Sequence, residues 1–352
     1  MKTPPVRDDI QDLKPYSVPE SGTAIELDSN ENPWNLPDDV LKDISETLLS
    51  VRYNRYPDTE AAWLKESLVA GYQLQIENVF IGNGSNEVIL DLLLAFGGPG
   101  RTALIFEPTY SMHTVLTRIA LTETVKAQLG EDFELDMAAA GTTIGELKPN
   151  IVFLNSPNNP TGNVICANMV EEVCRSGDFL VVVDEAYGEF SGETCLPLIK
   201  KYKNLAVVKT FSKAFRLAGA RVGYALADSG IISGLEKVKL PYNLNALSQV
   251  AAAIVWKKRS AILGVVDEIV AERERVAKIL TAMDGATPYP SRANFILFKT
   301  AKDAKGIYRR LVTAGVRIRD FSSVPLLVNC LRVTIGTPAE NNVFLDVLRE
   351  SL

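Results

Sequence analysis

Three short apolar runs constrain the fold of this chain most strongly. They cover residues 150–154, 179–183 and 205–208, and each is apolar almost throughout. Such runs are typical of strands that are buried on both faces of a sheet. Strand-like and helix-like segments alternate over roughly residues 40–240, which predicts an α/β fold with a mostly parallel central sheet flanked by helices.

Length and composition predict how the chain is divided. The 352 residues are 47% hydrophobic, enough for one large domain and a smaller one. We expect an extended, proline-interrupted N-terminal arm at residues 1–28 and a large domain at residues 29–270. A smaller α+β domain is expected at residues 271–352. The connection at residues 130–148 carries no clear pattern, and the charged stripe at residues 267–275 predicts a solvated helix face.

Charge and cysteine usage exclude several classes of protein. The net charge of −6 argues against a nucleic-acid partner, so an anionic ligand must be held by local arginines and lysines. The four cysteines lack metal-site spacing, which favours reduced core residues of a cytoplasmic protein. No apolar run is long enough for a membrane span or an export signal. His113, the single histidine, is expected to be a satisfied helix histidine with no metal-binding role.

A lysine follows one of the buried runs. Lys213 comes shortly after residues 205–208, and α/β folds place their ligands at such strand ends. A lysine at this place could act as a nucleophile, and Ser212 and Arg221 offer the donors that a phosphate needs. The alternative is an ordinary solvated surface lysine.

A second segment has the features of a phosphate cradle. A short strand at residues 79–81 is followed by a turn with Gly84, Ser85 and Asn86, and then by an apolar helix. The free N–H groups and the dipole at such a helix start favour an anion. A dinucleotide-binding motif is the alternative, but Glu87 replaces its third glycine.

Three further residues follow predicted strands. Asp184 ends the run at residues 179–183, where a buried carboxylate needs a cation, either a ligand or a structural arginine. Tyr110 could stack on a flat aromatic ligand or belong to the core. Asn159 lies in a proline- and glycine-rich turn that would hold its amide rigidly.

Arginines cluster near the C-terminus. Arg317, Arg319 and Arg332 lie in or beside predicted strands, and a guanidinium suits a carboxylate or a phosphate. Exposed strand arginines are the alternative, which we keep open above all for Arg317.

Several motifs together resemble the fold type I pyridoxal-phosphate aminotransferases, and most of all the histidinol-phosphate aminotransferases among them. The similar segments extend over nearly the whole chain and are S-K-A-F-x-L-A-G-x-R-x-G-Y at 212–224, N-E-N-P at 30–33, R-Y-P at 55–57, N-N-P-T-G at 158–162 and L-R-V-T-I-G at 331–336. The family more often has Asp at the position of Asn86.

The resemblance implies pyridoxal 5'-phosphate as the cofactor, held by Lys213 as a Schiff base. The freed Lys213 amine then moves a proton from the substrate α-carbon to the C4′ atom of the cofactor. Asp184 would pair with the protonated ring nitrogen, Tyr110 would stack on the ring, and Asn159 and Tyr187 would bond its phenolic oxygen.

The resemblance also implies a homodimer with shared active sites, because Tyr56 would reach the cofactor phosphate of the neighbouring subunit. Tyr16 would line the substrate site; by itself it predicts only a packing anchor. Arg332 would bind the substrate carboxylate and Arg319 the substrate phosphate, with Asn159 beside them.

The implied reaction is transamination of histidinol phosphate with 2-oxoglutarate, giving imidazole-acetol phosphate and glutamate in histidine biosynthesis. A threonine-phosphate decarboxylase and an aromatic amino acid aminotransferase are the alternatives on the same scaffold. A nucleotide-binding oxidoreductase or a cofactor-binding regulator would be alternatives from other classes.

Overall fold

The computed structural model describes residues 3–15, 23–301 and 303–352. The strands are β1 Ile25–Glu26, β2 Val79–Gly82, β3 Thr102–Glu107, β4 Glu123–Gln128, β5 Ile151–Asn155, β6 Leu180–Asp184, β7 Leu205–Thr210, β8 Gly223–Ala227, β9 Ala286–Pro288, β10 Phe295–Thr300, β11 Val316–Arg317, β12 Arg319–Asp320 and β13 Cys330–Thr334. The helices are α1 Asp38–Leu48, α2 Ala62–Tyr72, α3 Ser85–Phe96, α4 Ser111–Ile119, α5 Met137–Leu147, α6 Ala167–Arg175, α7 Gly188–Ser191, α8 Ser229–Glu236, α9 Ala246–Lys257, α10 Arg259–Leu263, α11 Val265–Thr281, α12 Ala304–Thr313 and α13 Pro338–Ser351. Among the described residues, no helix has both the length and the apolar character needed to span a bilayer.

The main sheet confirms the predicted α/β class. Its strand order is β2-β8-β7-β6-β5-β3-β4, and the pairings from β7 through β4 are all parallel. Only β8 runs antiparallel to its neighbours β2 and β7. The carboxyl ends of the parallel strands therefore lie along one edge, where ligands bind in folds of this class.

The three apolar runs form the centre of this sheet, and both sheet faces are covered. In β5, Val152 and Leu154 belong to one buried cluster, while Ile151 and Phe153 belong to the cluster on the other face. Because successive side chains of a strand point to opposite faces, a strand that is apolar throughout requires cover on both sides.

A second sheet lies in the C-terminal part of the chain. Its order is β12-β13-β10-β9, and all its pairings are antiparallel. The N-terminal strand β1 pairs in parallel with β11, so the start of the chain is tied to this C-terminal region. The bounds of the arm and of the two domains stay predictions.

Two local predictions are wrong. The connection at residues 130–148 contains helix α5, whose N-cap Asp136 accepts hydrogen bonds from the backbone N–H groups of Ala138 and Ala139. The charged stripe is not solvated throughout, because Glu272 and Arg273 are buried. Arg273 donates to the Ala293 carbonyl at 2.9 Å, so this part of the stripe joins α11 to the connection between β9 and β10.

Candidate active site

A cavity of about 440 Å³ lies at the carboxyl ends of the parallel strands. Most of the residues that the sequence singles out line it, which is notable because they come from separate segments of the chain. These are Ser85, Asn86, Tyr110, Asn159, Asp184, Tyr187, Ser212, Lys213, Arg221, Arg319 and Arg332.

Lys213 follows β7 and reaches this cavity. Its Nζ donates a hydrogen bond to the Ser29 carbonyl at 2.8 Å. Burial lowers the pKa of Lys213 to about 8, and the positive charges of Arg332 and Arg221 lower it further. A substantial fraction of this amine is therefore neutral near physiological pH, which a nucleophile requires.

Asp184, the last residue of β6, is only 3% exposed. Its Oδ1 accepts from the backbone N–H of Ala186 at 3.0 Å, and its Oδ2 lies 3.2 Å from Nε2 of His113. The arginine partner that the sequence offered as the alternative to a ligand is not among these contacts. The carboxylate thus remains available to a cation in the cavity.

His113 differs from the expected satisfied histidine. It lies fully buried in α4, as predicted for a helix, and stacks on Phe153 with ring centroids 5.0 Å apart. Its Nδ1 has no hydrogen-bond partner among the described residues, and its Nε2 contacts Asp184. The prediction of a fully satisfied side chain is wrong, and the single histidine supports a residue of the cavity.

The start of α3 forms a cradle for an anion. Gly84, its N-cap, has a φ of +87°, and a Cβ added there would lie 2.5 Å from Nη2 of Arg221. A Cβ on Gly223 would overlap the backbone of Ser85. Glycine at both positions therefore lets the guanidinium and the helix start approach each other closely.

Arg221 completes this cradle with Ser212. Its Nη1 donates to the Ser212 hydroxyl at 3.2 Å and to the Ala218 carbonyl at 3.0 Å. Both acceptors are uncharged. The positive charge of Arg221 can therefore act on a phosphate bound at the helix start. Nearby, the Tyr110 hydroxyl lies 3.3 Å from Oδ1 of Asn86.

A buried polar network forms another wall of the cavity. Arg332 donates through Nη1 to Oδ1 of Asn159 and through Nη2 to the Asp28 carbonyl. The Asn159 amide lies 3.4 Å from the Tyr187 hydroxyl. Burial raises the pKa of Tyr187 to about 12, so its hydroxyl stays protonated and can donate a hydrogen bond.

Arg319 and Arg317 differ in their position relative to the cavity. Arg319 lines the cavity, as predicted for a substrate-binding residue. Arg317 does not line it, and its guanidinium pairs with Glu26 at 2.9 Å and with Asp28 at 3.3 Å. These ion pairs connect Arg317 in β11 to the N-terminal segment that contains Glu26 and Asp28.

The structure describes one of the two remaining predicted tyrosines, and that residue does not line the cavity. Tyr56 is 80% exposed, is absent from the cavity lining and stacks on Tyr242 with ring centroids 4.3 Å apart. Tyr16 lies outside the described residues.

Sequence reasoning missed the N-terminal side of the cavity. Asp28, Ser29 and Asn30 line it, as does Phe321, whose ring lies 5.4 Å from the Arg332 guanidinium carbon. The N-E-N-P segment that begins at Asn30 predicted only a turn. The signal available was the presence of two amides in a turn that resembles a family motif.

Comparison with known proteins places this geometry in a family. The family model described as aminotransferase class I and II matches residues 23–348. The histidinol-phosphate aminotransferase of Caldanaerobacter subterraneus subsp. tengcongensis is 39% identical over 99% of this chain and 98% of its own length. That of Mycolicibacterium smegmatis is 42% identical over 97% of this chain and 92% of its own.

A solved structure agrees with these relatives. The histidinol-phosphate aminotransferase of Sinorhizobium meliloti, crystallised with pyridoxal-5'-phosphate, superposes with a TM-score of 0.86 at 25% identity, covering 94% of this chain and 91% of that one. The range matched by the family model, residues 23–348, includes the cavity lining and both sheets. The chain therefore belongs to the class I and II aminotransferases.

Proposed function

We propose that this aminotransferase transfers the amino group of histidinol phosphate to 2-oxoglutarate, giving imidazole-acetol phosphate and glutamate in histidine biosynthesis. Pyridoxal 5'-phosphate is its cofactor. One observation carries the proposal: a single cavity combines an anion cradle, a lysine of lowered pKa, a buried carboxylate and two arginines. The relatives named above support the choice of substrate.

The residues fit this cofactor. A phosphate matches the cradle, where Gly84 and Gly223 leave room that a Cβ would fill. A pyridinium nitrogen would give a cationic partner to Asp184, whose side chain contacts the Ala186 N–H and His113. The cofactor contributes an electron-withdrawing ring that takes up charge released at the substrate α-carbon. We assign Gly84, Ser85, Asn86, Ser212 and Arg221 to its phosphate.

Asp184 would hold the ring nitrogen, and the Ala186 N–H and His113 contact its two oxygens. Asn159 and Tyr187 would hold the phenolic oxygen and Tyr110 would stack on the ring; all three line the cavity.

Lys213 would have two tasks. Its neutral Nζ would hold the aldehyde of the cofactor as a Schiff base, with release of water. Once the substrate amine has taken its place there, the freed Nζ would take the proton from the substrate α-carbon. A pKa near 8 suits both tasks, because the amine is accessible as a base and still accepts a proton.

The two arginines divide the anionic groups of the substrates. Arg332 is fixed by Asn159 and Asp28 and suits the α-carboxylate of glutamate. Arg319 suits the phosphate of histidinol phosphate, and Tyr16 would complete the substrate site. Aminotransferase substrates are small molecules, and both of these substrates are.

Single-turnover spectroscopy tests the substrate. Holoenzyme is mixed with histidinol phosphate, threonine phosphate or phenylalanine, and the visible absorbance of the cofactor and the release of CO₂ are followed. We expect rapid conversion with histidinol phosphate and no CO₂. Faster conversion of phenylalanine, or CO₂ from threonine phosphate, would establish one of the alternative functions.

Arg319→Gln sharpens this test. Losing a charge-assisted contact to phosphate should lower kcat/KM for histidinol phosphate by about 10- to 100-fold and change that for glutamate much less. Arg319→Lys is the matched control, because it keeps the charge but loses the bidentate geometry. Equal losses for both substrates would argue against the assignment of Arg319.

We also propose a cytoplasmic homodimer in which Tyr56 serves the active site of the neighbouring subunit. Tyr56 and Tyr242 are exposed and stack on each other, which suits an interface. Close to them in the sequence, Tyr53, Leu240 and Leu247 are also exposed. The four free cysteines suit a reducing compartment.

Subunit mixing tests the shared site. Lys213→Ala and Tyr56→Ala proteins are each expected to be weakly active, but a mixed dimer contains one site with both native residues. Refolding them together should restore roughly a quarter of wild-type activity. Activity no higher than the mean of the separate proteins would contradict a shared site.

A further inference from the structure

Asn30 contacts the Tyr187 hydroxyl at the N-terminal side of the cavity. Its Nδ2 lies 2.9 Å from the tyrosine oxygen, and both residues are buried, with Asn30 only 1% exposed. Asn30 has a φ of +54°, a left-handed conformation that asparagine adopts more readily than most residues. The backbone is therefore held in an uncommon form at the point where this side chain meets Tyr187.

Neighbouring hydrogen bonds fix which end of the Asn30 amide faces Tyr187. The Thr334 hydroxyl accepts from the backbone N–H of Asn30 at 3.0 Å and lies 3.2 Å from Oδ1 of the same residue. Because the hydroxyl oxygen already accepts, its single proton is directed to Oδ1. Oδ1 is thereby occupied as an acceptor, and Nδ2 must face Tyr187 as a donor. Asn294 adds a bond of 3.1 Å to the Asn30 carbonyl.

This arrangement decides where the Tyr187 proton points. The hydroxyl oxygen of Tyr187 accepts a hydrogen bond from the Asn30 amide at 2.9 Å and a weaker one from the Asn159 amide at 3.4 Å. A donor cannot accept the tyrosine proton, so that proton is directed away from both amides and into the cavity. A hydroxyl that accepts one hydrogen bond also donates another more strongly.

We infer that Asn30 is a positioning residue of the active site, which makes Tyr187 a directed hydrogen-bond donor toward the oxygen of the bound cofactor. The inference rests on the proposed function, because it requires that Tyr187 face the phenolic oxygen. It adds a task for a residue from which the sequence predicted only a turn. Asn30 acts through Tyr187 and not by its own contact with the cofactor.

Charged side chains surround Tyr187, and the hydrogen bond that it donates sets the direction of the expected pH shift. Arg332, Asp184 and Lys213 all act near it, with Nζ of Lys213 lying 5.9 Å from the Tyr187 ring centroid. A donor to the cofactor oxygen stabilises negative charge there and so lowers the proton affinity of the cofactor's conjugated system. Weakening that donor raises the proton affinity, which the pH dependence of the holoenzyme's visible absorption reports.

The experiment is a spectroscopic pH titration of holoenzymes. Asn30→Gly removes the donor and tolerates the positive φ, and it should raise the midpoint by on the order of 0.5 pH unit. Thr334→Val leaves Asn30 in place but frees its amide to rotate, and it should raise the midpoint less. If Asn30→Gly folds poorly, Thr334→Val provides the same test with the asparagine in place. Asn294→Ser changes a hydrogen bond to the Asn30 carbonyl and leaves the Asn30 amide group and Tyr187 in place, so it should leave the midpoint unchanged.

Tyr187→Phe separates this inference from the proposed function. That variant should raise the midpoint more than Asn30→Gly, and adding Asn30→Gly to it should cause no further shift. If Tyr187→Phe shifts the midpoint but the Asn30 variants do not, or if Asn30→Gly shifts it equally without Tyr187, the role of Asn30 is refuted. No shift with Tyr187→Phe would refute the assignment of Tyr187 itself, and the role of Asn30 with it.

Discussion

Two lysines, four positions apart in the chain, have opposite electrostatic surroundings. Lys209 lies in β7 beside a second cavity of about 320 Å³, and its Nζ contacts Glu185 at 3.1 Å and Glu189 at 3.0 Å. Lys213 lies beyond the end of the strand in the active-site cavity, and its Nζ contacts the Ser29 carbonyl.

The comparison shows that burial alone does not decide the charge of a lysine. Desolvation disfavours the charged form of both side chains. For Lys209 the carboxylates of Glu189 and Glu185 outweigh it, and its pKa lies well above the usual range. For Lys213 the nearby arginines add to desolvation instead, and the pKa falls to about 8. One lysine is a permanent cation and the other a base.

Replacing each lysine by methionine should separate them most strongly. Lys209→Met leaves two buried carboxylates without their cation and should lower the free energy of unfolding by about 3 kcal/mol or more. Lys213→Met removes an amine whose Nζ contacts a carbonyl oxygen instead of a carboxylate, and it should not lower the free energy of unfolding. Urea unfolding of the cofactor-free proteins measures both values.

A matched control belongs to this pair. Adding Glu185→Gln and Glu189→Gln to Lys209→Met removes the unpaired charges and should recover much of the lost stability. A Lys213→Met protein as unstable as Lys209→Met would break the comparison.

The pH dependence of stability should differ in the same sense. Lys213 has a folded pKa of about 8 and an ordinary value of 10.5, so the unfolded chain binds its proton more tightly and this group penalises the folded state at low pH. The penalty disappears as pH rises through this window. Cofactor-free wild type should therefore gain about 2 kcal/mol relative to Lys213→Met between these two pH values. A stability difference between the two proteins that stays constant with pH would show that the pKa of the Lys213 amine is not lowered.

Removing one carboxylate from Lys209 should have the smallest effect. Glu189→Gln leaves Glu185 in contact with Nζ of Lys209. Losing the Glu189 carboxylate should lower the free energy of unfolding by about 1 kcal/mol, measured by urea unfolding. Glu193→Gln at the rim of the same cavity should cost less than about 0.5 kcal/mol, because its pairing with Arg292 is exposed. Similar losses at both positions would mean that Glu189 contributes no more than a surface charge.

The lysine comparison also marks what the sequence could predict. Lys213 and Asp184 were predicted as site residues because each follows a buried apolar run, and the carboxyl ends of parallel strands meet at one edge. The partners of Lys209 were not predictable in this way. Glu185 and Glu189 come from other segments, and no local pattern reports that three charges will be buried together.

The N-terminal wall of the cavity was missed for the same reason. Asn30 meets Thr334, which is 304 positions away, through a backbone conformation that no periodicity reveals. Helix α5 was missed on a different ground, since its glycines and threonines are weak helix formers. Its N-cap Asp136 was the available signal.

Reduction of the holoenzyme with borohydride, followed by peptide mass spectrometry, tests the central claim most directly. The reagent makes the covalent link between cofactor and protein permanent, and the modified lysine can then be identified. We predict the label on Lys213 and none on Lys209, because only Lys213 has a neutral amine in the active-site cavity. A label on Lys209 or on any other lysine, with Lys213 unmodified, would contradict the account.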